Sequence, residues 1–130
     1  QENVSERIEL WKAAYDAIAL EPLFGSKASV YYSQYNIYPH NIILDLGLHG
    51  GLITIFAFLL LLLKVVSEIL KMKVLNVNNF LIVICIFSIF LIDLVSGMFS
   101  GTIDSHYFIW FCAGLLISYS IYTKYNLRNS

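Results

Sequence analysis

The sequence predicts an all-α fold, in which about three polytopic membrane helices follow an amphipathic helix on the outer side of the membrane. Of the 130 residues, 58% are hydrophobic and only 13% are charged, and the mean hydropathy is +0.72. Soluble domains carry about 25% charged residues. Nine acids and eight bases cannot easily cover a soluble domain of this size, and a lipid environment removes that need.

Three apolar stretches are predicted to cross the bilayer as helices. They cover residues 41–66, 80–98 and 107–123. A helix needs about 20 mostly apolar residues to cross the hydrocarbon core, and only a helix satisfies its own backbone within one segment in lipid. Region 41–130 is therefore predicted to be a three-span transmembrane region.

Residues 1–40 are predicted to form an outer segment with an amphipathic helix followed by a loop. An apolar stripe at helical spacing consists of Ile8, Trp11, Tyr15 and Ile18. Glu21-Pro22 should end this helix, because the residue before a proline avoids the α region. Residues 25–39 are predicted to be a loop whose tyrosines are typical of the membrane–water interface, although carbohydrate sites also use aromatic rings.

Basic residues set the predicted orientation. The linker between the first two spans, with its flanks, contains Lys64, Lys71 and Lys73, and the tail after the third span contains Lys124 and Arg128. The turn from Ser100 to His106 contains no Lys or Arg. By the positive-inside rule, the first linker and the tail are cytoplasmic, and residues 1–40 and the turn lie outside.

Small residues predict where helices pack closely in lipid. Gly47 and Gly51 are four residues apart, as are Gly97 and Gly101.

The two cysteines, Cys85 and Cys112, lie inside apolar runs and are predicted to be small buried hydrophobes.

Several classes of site are not indicated. The sequence has no zinc-type cysteine spacing, GxSxG, P-loop or HExxH motif, and no acidic pair suited to a divalent metal. No metal site and no cofactor are therefore predicted. The net charge of −1 and the lack of a basic face argue against a nucleic-acid partner.

Charged side chains near lipid usually face a cavity or a partner. Three places in or beside the predicted spans contain such residues. They are the start of the first span (His40, Asn41, Asp45 and His49), Asp93 in the second span, and the outer turn with Asp104 and His106. Asp45 and His49 are four residues apart and are expected to pair.

Each place also has a purely structural interpretation. His40 would be an interfacial histidine that caps a helix together with Asn41. Asp93 would be a buried carboxylate bonded to a neighbouring helix. Asp104 and His106 would be solvated turn residues.

Nine residues occur in an order that resembles a known family. They are Arg7, Trp11, Pro22, Leu23, Phe24, Gly25, His40, Asn41 and Leu44. The order R-x-x-x-W, P-L-F-G and H-N-x-x-L, leading into a span, is similar to the second large periplasmic loop of the O-antigen polymerase and O-antigen ligase superfamily. The match is strongest over residues 5–54. The chain departs from the family at His49, which is often acidic there, at Thr54, often glycine, and after Gly25, where a second glycine is usual.

The resemblance implies the C-terminal part of a membrane glycosyltransferase of the bacterial inner membrane, with residues 1–40 periplasmic and the C-terminus cytoplasmic. Such a polymerase joins undecaprenyl-diphosphate-linked repeat units into O-antigen or capsular polysaccharide. Its partners would be the lipid-linked glycan donor and acceptor, membrane lipid, and the N-terminal helices of the same protein, which this sequence lacks.

The resemblance also assigns roles to three residues. Arg7 would bind the diphosphate leaving group with two hydrogen bonds. His40 would be the catalytic residue, since a histidine titrates near neutral pH and accepts the proton of the acceptor hydroxyl. Asn41 would be part of the substrate site, where it fixes the imidazole or caps the helix.

Three alternatives to the polymerase remain open. The related ligase transfers the glycan to lipid A core and differs mainly in its acceptor. A transporter or flippase segment would carry polar residues throughout the spans, whereas here the deep polar residues are few and the outer edge is rich in them. A non-catalytic membrane subunit would need neither Arg7 nor His40.

Overall fold

The structure is a computed structural model that describes residues 4–25, 28–35, 38–71, 77–100 and 102–129. The side chains at 77–79, 103 and 127–129 are not among those described. The predictions made for Lys73 and Gly101, and for the side chain of Arg128, therefore lie outside the described residues.

Every regular element in the described part of the chain is helical, which confirms the all-α class. The α-helices are α1 (Val4–Leu20), α2 (Ala28–Tyr35), α3 (Ile42–Lys71), α4 (Val77–Phe99) and α5 (Tyr107–Asn129), and a 3-10 turn covers Ile103–Ser105.

Two stretches, Ile42–Lys71 and Phe80–Phe99, are long and apolar enough to cross a membrane. Only 17% of the most apolar part of each is buried within the chain, so most of its apolar surface faces outward. This surface indicates a membrane protein. Helix α5 contains the third predicted span, 107–123, but it is less apolar than the other two and does not meet the same criterion.

The chain divides into two compact units. The first comprises Gln1–Phe58 and Val95–His106, and the second comprises Leu59–Leu94 and Tyr107–Ser130. All nine residues that carry the family resemblance belong to the first unit.

Helix α1 ends at Leu20, as the Glu21-Pro22 pair predicts. Its buried side, however, consists of Leu10, Ala14 and Ile18. The predicted stripe is wrong for Ile8 and Tyr15, which are 58% and 67% exposed. The alanines explain the difference, because small side chains let neighbouring elements approach α1 closely and so decide which side is buried.

Helix α2 replaces part of the predicted loop, so the loop prediction is wrong for Ala28–Tyr35. Its eight residues are too few for a helix that is stable by itself, and packing against α1 supplies the stability. Tyr31 is buried in a core with Leu10, Ala14, Ile18 and Leu48. Its hydroxyl donates a hydrogen bond to the carbonyl oxygen of Leu10, 3.2 Å away.

The second unit contains a buried carboxylate that the sequence analysis did not identify. Glu68 of α3 is 3% exposed. It accepts hydrogen bonds from Lys64 Nζ at 2.8 Å, from Ser120 Oγ at 2.7 Å and from Lys124 Nζ. These partners offset the cost of burying the charge, and two of them, Lys64 and Lys124, belong to the basic residues that set the predicted orientation.

Asp93 and the cysteines also belong to the second unit. Asp93 Oδ2 accepts a hydrogen bond from the backbone N–H of Ile109, 2.9 Å away, in the first turn of α5, where such groups lack helical partners. Asp93 is therefore bonded to a neighbouring helix, as its structural interpretation predicts, but it is half-buried and not buried as that interpretation expects. Cys112 is buried as predicted, but Cys85 is exposed, and the prediction for it is wrong.

Candidate functional site

Two of the three predicted site residues meet at the C-terminal end of α4. Arg7 Nη1 donates to the carbonyl oxygen of Phe99 at 3.4 Å, and Asn41 Nδ2 donates to that of Met98 at 3.2 Å. The last carbonyls of a helix lack helical partners and carry partial negative charge, so they attract such donors. The structure thus brings together two residues that α2 separates in the sequence.

Asn41 also caps α3. Its Oδ1 accepts hydrogen bonds from the backbone N–H groups of Ile43, at 3.0 Å, and Leu44, at 3.2 Å. Such a cap satisfies N–H groups that the first helical turn leaves unpaired. Of the two roles considered for Asn41, fixing the imidazole and capping the helix, the structure shows the helix cap. Its place in a substrate site stays a prediction.

His40 lies directly before this cap, in an unusual backbone conformation. Its φ is +50°, in the left-handed region that non-glycine residues seldom adopt. The neighbouring Pro39 is held by Trp11, whose Nε1 donates to the Pro39 carbonyl oxygen at 2.6 Å. Trp11 follows Arg7 by one turn of α1, so α1 helps to position the segment that carries His40.

Helix α3 is broken at Gly50 and Gly51. Gly51 has φ 63° and ψ −155°, far from helical values. Two N–H groups beyond the break bond to the turn that follows α1. Leu52 N donates to the Pro22 carbonyl at 2.7 Å, and Ile53 N donates to that of Leu23 at 3.4 Å. The Pro22–Gly25 segment of the family pattern is therefore docked against the α3 break.

This docking requires glycine on both sides. A Cβ added to Gly25, which has φ +72°, would lie 2.7 Å from the backbone nitrogen of Gly51. A Cβ added to Gly51 would lie 2.5 Å from the carbonyl oxygen of Leu23. Thr54 completes the arrangement, since its hydroxyl lies 2.7 Å from the carbonyl oxygen of Leu46 and 2.9 Å from that of Gly51.

The predicted close contacts at glycine are confirmed for Gly47, where an added Cβ would lie 2.6 Å from Ile18 Cδ1 of α1. Gly51 also makes a close contact, but with the Pro22–Gly25 turn and not with a helix. At Gly97 an added Cβ would meet the His106 ring at 3.4 Å, an ordinary van der Waals distance.

A buried carboxylate lies in the first turns of α3. Asp45 is 1% exposed and accepts a hydrogen bond from the Tyr32 hydroxyl. His49 Nδ1 lies 3.6 Å from Asp45 Oδ1 and 2.9 Å from the Asp45 carbonyl oxygen, which confirms the predicted pairing. Burial, and then the hydrogen bond to Asp45, raise the pKa of Tyr32, so the phenol keeps its proton.

The other tyrosines of this region differ in exposure. Tyr31 is buried, and burial together with the nearby Tyr35 and Asp45 raises its pKa to about 12. Tyr35 and Tyr38 are 40% and 50% exposed. The ring centroids of Tyr31 and Tyr35 are 5.0 Å apart, and those of Tyr32 and Tyr38 are 5.1 Å apart.

Asp104 and His106, the two residues singled out in the turn before α5, differ in exposure. Asp104 is exposed, in agreement with the solvated interpretation. For His106 that interpretation is wrong, because the residue is only 6% exposed. Its Nε2 lies 2.5 Å from the carbonyl oxygen of Ser100, which follows the end of α4 and therefore offers an acceptor without a helical partner.

Two structural features, the α3 break in the first unit and the buried Glu68 in the second, were not predicted from the sequence. The Gly50-Gly51 pair inside an apolar run was a signal for the break, since adjacent glycines are a common cause of sharp kinks. For Glu68, the signal was its spacing of four residues from Lys64. No group of three or more His, Cys, Asp or Glu side chains in the described residues is arranged to hold a metal ion.

Comparison with protein-family models, with curated proteins and with solved structures found no match to this chain. Its function is therefore inferred from its residues and their geometry.

Proposed function

We propose that this chain is the C-terminal part of a membrane glycosyltransferase that polymerises undecaprenyl-diphosphate-linked repeat units at the outer face of the bacterial inner membrane. One observation carries the proposal. Residues identified from their sequence order alone form two connected sets of contacts in the first unit. In the first set, Arg7 and Asn41 bond to the end of α4, and Trp11 bonds to Pro39, the residue before His40. In the second set, the Pro22–Gly25 turn bonds to α3.

The proposed reaction breaks the bond between the anomeric carbon of the growing glycan and the diphosphate oxygen. A hydroxyl oxygen of the lipid-linked acceptor forms the new bond to that carbon, and its proton passes to a ring nitrogen of His40. Undecaprenyl diphosphate leaves with the bonding electrons. Arg7 stabilises the negative charge that develops on it, as a fixed guanidinium does for phosphate oxygens.

The proposed membrane arrangement has three spans, with α5 as the third. Residues 1–40 and the turn at Thr102–His106 would face the periplasm, and the C-terminus would face the cytoplasm. Because Lys64 and Lys124 are paired with Glu68, the orientation depends more on Lys71, which is exposed, than the count of basic residues implies.

Replacing His40 in the full-length protein tests this function. His40→Ala, expressed in cells that lack the wild-type copy, should leave single repeat units on the cell surface in place of long chains, with unchanged protein in the membrane. His49→Ala removes a different histidine, which is exposed, and should retain long chains. Normal polymer from His40→Ala would overturn the mechanism. Lipid-linked polymer that accumulates without reaching lipid A core would identify the ligase instead.

A further inference from the structure

A cavity of about 310 Å³ lies between α1 and α2. Ala13 and Ala17, one turn apart on α1, leave the space open, and the buried Tyr31 forms part of the wall. Asp16, Gln34 and Tyr35 also line it. The volume is at the small end of the range for small-molecule sites, enough for a sugar ring or two and too small for a partner helix.

The lining has the chemistry that recognises a carbohydrate. The ring of Tyr35 is 40% exposed and offers an apolar face against which the C–H face of a pyranose packs. Asp16 is exposed, and its carboxylate accepts hydrogen bonds from sugar hydroxyls. The Gln34 amide both donates and accepts, and its Nε2 lies 3.4 Å from the Tyr35 hydroxyl.

Charge and position separate this cavity from the candidate catalytic site. Asp16 repels a diphosphate, so the cavity suits a neutral or amino sugar. Along an ideal helix, Asp16 lies about 14 Å beyond Arg7 and on the opposite side of α1. An occupant here is therefore remote from the reacting bond.

We propose that the α1–α2 cavity binds a saccharide residue of the glycan at a distance from the bond that reacts. Binding itself does not depend on the proposed function; only the identity of the saccharide, as part of the growing polymer, rests on it. The site would hold the glycan during repeated transfers and would influence chain length without taking part in the chemical step.

Saturation-transfer NMR on the full-length protein in lipid nanodiscs, free of sugar-based detergent, tests this inference. The probes are the methyl glycosides of glucose, galactose, mannose and N-acetylglucosamine. At least one should receive saturation from the wild type. Ala17→Leu, which fills the cavity, should abolish the signal. Ala19→Leu makes the same change on α1 at an exposed position outside the cavity and should retain it.

A second variant keeps the test informative if Ala17→Leu does not fold. Asp16→Asn changes an exposed side chain and should weaken binding about tenfold, because a hydrogen bond to a charged group is replaced by a neutral one. No saturation of any glycoside by the wild type, or equal saturation with Ala17→Leu and Ala19→Leu, would overturn the inference. So would unchanged affinity in Asp16→Asn.

The polymerase activity and the sugar-binding cavity can be tested separately. His40→Ala should bind the glycosides as the wild type does and yet form no polymer. If the wild type binds sugar in the cavity but transfers none, the polymerase proposal is wrong and the binding site remains. If it transfers sugar but no glycoside binds, the cavity inference alone is wrong.

Discussion

His40 adopts a left-handed conformation next to a proline and a helix cap. Such a conformation costs a non-glycine residue about 1–2 kcal/mol, and it persists where the surrounding contacts determine it. Here those contacts are the Trp11 bond to Pro39 on one side and the Asn41 cap on the other. Contacts of the residues on either side of position 40 thus help to hold its backbone, so a variant that keeps this conformation and lacks the imidazole can separate stability from catalysis.

We expect His40→Gly to keep the fold and lose the activity. Glycine adopts φ +50° without strain, although it also increases the entropy of the unfolded chain, so the free energy of unfolding should change by less than about 1 kcal/mol. Thermal unfolding in detergent and polymer length in cells measure the two effects. Long chains from a stable His40→Gly protein would show that the imidazole is not the base.

At this scale, sequence order was sufficient to identify Arg7, His40 and Asn41 as candidates, and helical spacing was sufficient for the Asp45–His49 pair. The surroundings of His106 and Glu68 were not predictable in the same way. The partner of His106 is a carbonyl beyond the end of α4, and Glu68 bonds to residues of α5 in addition to Lys64, the one partner that spacing indicates. Burial at such positions depends on which chain segments meet in space, and local spacing does not contain that information.

The contact between the Pro22–Gly25 turn and the α3 break is the main structural feature at the scale of elements. Two backbones approach so closely that neither Gly25 nor Gly51 has room for a Cβ. The N–H groups released by the break are satisfied by carbonyls of the turn. Because buried backbone groups need partners, break and turn are expected to form and unfold together.

Gly51→Ala should therefore destabilise the protein by about 2 kcal/mol or more, from the left-handed φ and from overpacking. Gly114→Ala is the matched control. An added Cβ there meets nothing within 4 Å, and alanine favours a helix, so stability should be unchanged or higher by up to about 1 kcal/mol. Thermal unfolding in detergent measures both. Equal stabilities for the two variants would contradict the docking account.

The helices and the end of α1 were predictable from apolar periodicity and from Glu21-Pro22. Helix α2 was not predictable from the sequence, because aromatic and β-branched residues such as Tyr31 and Val30 have modest helix propensity. This helix depends on its contact with α1. The α3 break was hidden by the surrounding run of apolar residues, which hydropathy counts as one continuous span.

At the scale of the whole molecule, the proposal depends on the orientation of the chain in the membrane. Two stretches have the length and composition of membrane spans. The proposed orientation also requires α5 to be a span, because it puts the turn before α5 and the C-terminus on opposite sides of the membrane. Asp104 and Lys71 are both exposed and lie at opposite ends of the proposed spans, so they are suitable positions for labelling.

Single cysteines at these positions should report the orientation. In full-length protein in which Cys85 and Cys112 are replaced by alanine, Asp104→Cys should react with a membrane-impermeant maleimide in cells whose inner membrane is intact. Lys71→Cys should react only after that membrane is permeabilised. The reverse pattern, or labelling of both in intact cells, would place the His40 segment on the wrong side for a periplasmic polymerase.

The central claim is that Arg7 and His40 serve a transfer between lipid-linked glycans, and a reconstituted reaction tests it most directly. Purified full-length protein in liposomes would be supplied with one undecaprenyl-diphosphate-linked repeat unit, and the length of the products would be measured. The wild type should form chains and release undecaprenyl diphosphate. Arg7→Lys should be at least about a hundredfold slower, because lysine cannot make the bidentate contact with the diphosphate. No chains from the wild type, or an equal rate with Arg7→Lys, would contradict the account.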